Sequence, residues 1–94
     1  MNAAELLAEL VELADAAGLR VQLLRTPAGL EAEAGVSSAV CRVRGEVRIV
    51  LVASDPLEER IEVVAAALRE HAGDWLERRY LSPAVRARLT VGFP

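Results

Sequence analysis

The sequence predicts a small α+β domain: helix, strand, hairpin, helix and short helix, with two helices packed on one face of a small antiparallel sheet. Three observations predict it. Apolar residues recur at helical spacing between Asn2 and Ala17, and again between Leu57 and Leu68. Between these stripes lie two stretches in which apolar residues alternate, Leu19–Arg25 and Val40–Val52. The second is interrupted by Arg44, Gly45 and Glu46, as a hairpin would be. A chain of 94 residues in that order makes one layered domain, residues 1–94.

The first helix is expected over Asn2–Ala17. Leu6, Leu10, Leu13 and Ala17 form its stripe, widened by Leu7, Val11 and Ala14. Asn2 and Glu5 have capping-box spacing, and Gly18 is suited to end the helix in a left-handed conformation. Leu19–Arg25 follows as a strand, with Leu19, Val21 and Leu23 facing the core and Arg20 and Gln22 facing away. Residues 26–38 hold Pro27, Gly29 and Gly35 and read as a connection, within which Leu30–Ala34 alternates weakly and could add an edge strand.

In SSAVCRVRGEVRIVLV, residues 37–52, the apolar sets are Cys41 and Val43 on one arm and Val47, Ile49 and Leu51 on the other. For both to face one core, Val43 must oppose Val47, because a one-residue slip inverts a strand. That leaves Arg44, Gly45 and Glu46 as a three-residue turn and sets Arg42 opposite Arg48. The second helix is expected from Pro56 to Ala72, with Asp55 as N-cap, Glu58 completing a capping box and Gly73 as the stop. Trp75 and Tyr80 are expected to cap the core from a short linking element. Ser82 and Pro83 open a last helix through Leu89, and the tail beyond it should fray.

Hydrophobic residues make up 53% of the chain but aromatic residues only 3%. Alanine, leucine and valine must therefore fill the core through many small contacts. A core this thin gains stability by burying a further face against a second copy, so a homodimer is expected. All eleven Lys-plus-Arg residues are arginine, yet the formal net charge is −3, which argues against nucleic acid as the partner. The single cysteine cannot form an internal disulfide, and neither a signal-peptide pattern nor an apolar run of membrane length is present. The expected compartment is the cytoplasm, with no membrane partner and no cofactor.

Three chemistries can be weighed against the residues. For metal catalysis, the runs LADAAGLRVQLLRTPAG, CRVRGEVRIVLV and DPLEERIEVVAAALREH resemble the ImmA/IrrE family of small zinc peptidases in element order and hydrophobic pattern, over roughly residues 4 to 71. The resemblance implies a helix and strand, then a hairpin, then an active-site helix carrying HExxH. This chain departs from that pattern, because the corresponding helix reads IEVVAAALREH and His71 is the only histidine. One chain therefore cannot place two imidazoles on one zinc. What the resemblance implies is a non-catalytic relative that keeps the scaffold.

A cysteine nucleophile would need Cys41 exposed and activated by a cation or by a histidine such as His71. The expected register turns Arg42 and Arg44 away from Cys41 and places Cys41 with Val43, Val47 and Ile49, as a core residue. The glycines match neither GxGxxG nor GxxxxGK[ST], so no phosphate loop is expected. What remains is the outer face of the sheet, where Arg20, Arg42 and Arg48 should gather with Arg44 at the turn. The expected function is non-enzymatic protein interaction through that face, with a protein partner that includes a second copy. The alternatives are a small-anion or nucleic-acid-binding module on the same arginines, or an enzyme using Cys41 and His71.

Overall fold

The computed structural model describes residues 2–25 and 38–90. The weak strand expected at Leu30–Ala34 and the tail at 91–94 lie outside the described residues. The element order is α1 (Ala3–Ala16), β1 (Arg20–Leu24), β2 (Ala39–Val43), β3 (Glu46–Val52), α2 (Leu57–His71), α3 (Gly73–Glu77) and α4 (Pro83–Leu89).

Helix α1 begins and ends as its sequence implies. The Asn2 Oδ1 accepts from the Glu5 N–H at 2.8 Å, satisfying one of the free amides of the first turn. At the other end Gly18 takes φ 89°. The Leu19 N–H donates back to the Ala14 carbonyl at 2.9 Å and the Gly18 N–H to Asp15 at 3.1 Å. These two bonds make a Schellman closure, which turns the chain directly into β1.

The sheet has the order β1-β3-β2. It is mixed rather than antiparallel, because β1 runs parallel to β3, with Val21 beside Ile49 and Leu23 beside Leu51. The expected antiparallel arrangement fails because β3 enters between β1 and β2. Its run EVRIVLV is the longest apolar stretch in the sheet, and its burial rewards the central position. The Ala53 N–H extends the parallel ladder by donating to the Leu24 carbonyl at 2.9 Å. Ile49 and Leu51 face α1 and α2 and join Leu6, Leu10, Ala14, Ile61, Val64 and Leu68 in one buried cluster.

The hairpin corrects the expected register. Val43 pairs with Glu46, Arg42 with Val47, Cys41 with Arg48 and Val40 with Ile49. The turn is thus two residues, Arg44 at φ 53° and Gly45 at φ 81°, the paired positive angles of a type I′ turn. Its twist matches that of the strands it joins, and that match outweighs the hydrophobic pattern here. Because β2 carries apolar residues at both parities and lies at the edge, turning Cys41 and Val43 outward costs little burial. Arg44 bears the strain of a left-handed conformation that asparagine adopts more readily. Arg44→Asn is expected to raise stability by about 0.5–1 kcal/mol, read from urea unfolding.

Helix α2 starts without a side-chain cap, since Asp55 is engaged elsewhere. Glu58, the expected partner in a capping box, instead pairs with Arg88 of α4. Ala72, at φ −138°, ends the helix, and Gly73 opens α3 rather than stopping α2. Leu76 is buried and Trp75 packs partly against the core, but Tyr80 is 84% exposed and covers nothing. Val85 and Leu89 bury the inner side of α4. The Arg69 guanidinium ties α4 to α2 by donating to the Arg88 carbonyl at 3.0 Å while also meeting Glu62 at 3.1 Å.

Candidate functional site

The register decides what each predicted site residue can do. In β3 the core side is Val47, Ile49 and Leu51, so the outer side is Glu46, Arg48 and Val50, with Val52 buried at its far end. Pairing carries Arg20 and Gln22 of β1, and Ala39, Cys41 and Val43 of β2, onto that outer side. Arg20 and Arg48 are therefore brought together as expected. Arg42 is not with them: paired with Val47, it lies on the helix side of the edge strand. Arg44 sits in the turn.

Glu46, which the sequence reading assigned to the turn, completes the outer group. Its Oε1 accepts a hydrogen bond from the Arg48 Nε at 3.2 Å and forms an ion pair with the Arg20 Nε at 3.3 Å. One carboxylate thus bridges two arginines that face each other across parallel strands. The side chains are exposed enough that such pairs contribute at most about 1 kcal/mol each. Their consequence is electrostatic: the outer face carries one net positive charge where three arginines were expected, which weakens any case for a phosphate-binding surface.

Cys41 is exposed, not buried, and is the register partner of Arg48. The one-residue difference in the turn accounts for this change completely, since it inverts β2. It also separates Cys41 from His71, because α2 covers the other side of the sheet. The Cys41–His71 pair needed for nucleophilic chemistry is therefore not assembled. Among the described residues no group of three His, Cys, Asp and Glu side chains stands ready for a metal ion.

The base of β2 is held by two residues that sequence reasoning had placed elsewhere. The Ser38 N–H donates to the Asp55 Oδ2 at 2.7 Å, and the Val52 N–H donates to the Ser38 Oγ at 2.9 Å. Asp55 also anchors the next segment, where the Arg60 Nε donates to its carbonyl at 3.1 Å. The Ser38 backbone and hydroxyl, helped by Arg60, hold the Asp55 carboxyl below its usual value of 3.8. A carboxylate with a lowered pKa in the folded state contributes stability that is present above the unfolded value and lost as pH falls through the folded one. Asp55→Asn should therefore weaken the fold near neutral pH and narrow its deficit as pH falls below about 3.8, measured by urea unfolding at each pH.

A shallow cleft of about 370 Å³ lies where α2, α3 and α4 meet, with Arg69, Arg79 and Arg86 over Leu76, Leu81 and Leu89. Arg69 is committed to Glu62 and Arg88, and the Arg79 guanidinium stacks 4.5 Å from the Trp75 ring centre. Glu77 and Thr90 also line it, but the Thr90 hydroxyl is spent on the Arg86 carbonyl at 3.0 Å.

Among the described residues, the outer edge of β2 is left without a partner strand. All five of its residues are exposed, and Ala39, Val40, Cys41 and Val43 are apolar. Val40 and Val43 are 36% and 40% exposed. No described helix is long and apolar enough to cross a membrane. No family model, curated protein or solved structure matches the chain.

Proposed function

We propose that this chain is a protein-interaction domain that acts by self-association, and that β2 is the strand through which it associates. The observation that carries the reading is the open edge. Protective devices at such edges are charges, prolines, bulges and covering segments. β2 has one charge, no proline and an unbroken register with β3, and among the described residues no segment covers its outer side. An edge of that kind is a template for another strand, and main-chain hydrogen bonds supply the affinity. Composition supports the same reading, because a core made of alanine, leucine and valine gains from extending its sheet into a second copy. Assembly fits the site better than catalysis, since Cys41, His71 and the carboxylates are not gathered into one reactive group.

The direction of the backbone groups supplies the test. The pair closing a two-residue hairpin turn, Val43 and Glu46, exchanges both hydrogen bonds. Alternation then points the amides and carbonyls of Ala39 and Cys41 toward β3, and those of Val40 and Arg42 outward. Arg42→Pro removes one outward donor and leaves the hairpin ladder intact, a placement edge strands accept. By sedimentation equilibrium the native chain should form a reversible dimer. Arg42→Pro should weaken it by at least about tenfold, since each dimer loses two hydrogen bonds of about 1 kcal/mol. Arg42→Ala, which keeps the amide, should change it by less than about threefold. A native chain that stays monomeric across the micromolar range, or an Arg42→Pro variant that dimerises normally, would overturn the proposal.

A further inference from the structure

We infer that two copies join antiparallel through β2 on a two-fold axis at Cys41, making one six-stranded sheet with Val40 opposite Arg42 of the second copy. This rests on the self-association reading above and adds its register and symmetry.

Closed dimers are two-fold and use the same patch on both subunits, so strands meeting edge to edge across the axis run antiparallel. Only outward-facing residues can form the hydrogen-bonded pairs of the new ladder, and on β2 these are Val40 and Arg42. Three symmetric registers are then available: centred on Val40, on Cys41 or on Arg42.

The structure separates them. A centre at Val40 would pair Arg42 with Ser38 of the second copy, but the Ser38 N–H is already donated to Asp55 at 2.7 Å. A centre at Arg42 would set two guanidinium-bearing residues directly opposite each other, which is destabilising. It would also extend the ladder onto Arg44, whose φ of 53° is not a strand conformation. A centre at Cys41 meets neither obstacle. It pairs Val40 with Arg42 twice, uses all four outward amides and carbonyls of each pair, and leaves the Ser38–Asp55 link untouched. It also sets Ala39 beside Val43 of the second copy on the outer face, an apolar contact between residues that are exposed in the single chain.

In that register the two Cys41 residues form a non-hydrogen-bonded antiparallel pair, with Cα atoms about 4.5 Å apart and both side chains on one face. Such a separation lies within the range a disulfide spans. The register can therefore be read with diamide, which takes two electrons and two protons from two thiols as the S–S bond forms and is itself reduced to the hydrazine.

The native dimer should cross-link through Cys41 at least about tenfold faster than either relocated single-cysteine variant, A39C/C41S or V43C/C41S, does alone, because each relocated thiol then faces a position without one. A mixture of those two variants should cross-link to each other, since positions 39 and 43 face across the axis. If sedimentation shows a dimer, yet Cys41 is slow and the mixture no faster than its components, the register is overturned while self-association through β2 stands. If the native chain is monomeric, both fail together.

Discussion

Leu68→Ala is expected to lower stability by about 3–4 kcal/mol and the melting temperature by roughly 12–30 °C, at fixed protein concentration. Leu68 is fully buried in the second half of α2 and belongs to the cluster that joins α1, α2, β3 and α4. Three helices converge there, so the space left by the lost methyl groups cannot close without moving one of them off the sheet. The cavity contribution should therefore add fully to the lost transfer free energy. A domain of this size has about 5–14 kcal/mol in total, so one truncation removes a large part of it. Leu68→Met, which conserves volume, should cost less than about 1.5 kcal/mol. Urea unfolding of the two variants checks the contrast. Equal losses would mean that side-chain shape, not cavity formation, governs this position.

The parts of the fold legible in the sequence are those where one strong period has no competitor. Of the stripe Leu6, Leu10, Leu13 and Ala17, the first two are buried, and Ala14 beside them is buried in place of the half-buried Leu13 and Ala17. Of the stripe Leu57, Ile61, Val64, Ala65 and Leu68, all but the half-buried Leu57 are buried. Asn2, Gly18 and Pro83 stand at helix boundaries for reasons of local chemistry that distant contacts did not override. β2 is different. Its apolar residues occur at both parities, so pattern alone favoured placing Cys41 and Val43 inward. An edge strand buries too little for that preference to win over a turn whose twist matches the strands. Asp55 illustrates a second difficulty: as a local cap it satisfies one orphan amide, but Ser38, 17 residues earlier, offered both a backbone and a hydroxyl donor. Separations of that size leave no periodic trace.

The surface around residues 37–52 was legible in part: Arg20 and Arg48 do share a face, while Arg42 does not join them. What could not be read was that Glu46 would bridge them, because its position depends on the turn length. The same single-residue difference moved Cys41 from the core to the outer face and Arg42 from the outer face to the helix side. The expected arginine cluster is thus a largely neutralised ion group beside a strand edge that no described residue pairs. In the proposed association, backbone donors and acceptors rather than side-chain charges would hold the partner.

The thinness of the core has a second measurable consequence, in the opposite direction from truncation. Ala14, Ala65 and Ala67 are 0–1% exposed, and α1 packs directly against α2. Methyl groups at such positions leave no slack for a larger side chain. Ala65→Leu must then displace a helix or force off-rotamer side chains, at a cost of about 2–3 kcal/mol. Ala65→Gly should also destabilise, by about 1 kcal/mol, through the freedom glycine gives the unfolded chain. Ala8→Leu on the exposed side of α1 should stay within about 0.5 kcal/mol of the parent. Losses in both directions at position 65 would place the helix spacing at a volume optimum set by alanine. A tolerated Ala65→Leu would show instead that the two helices are free to separate, and that the small residues are there for composition rather than for packing.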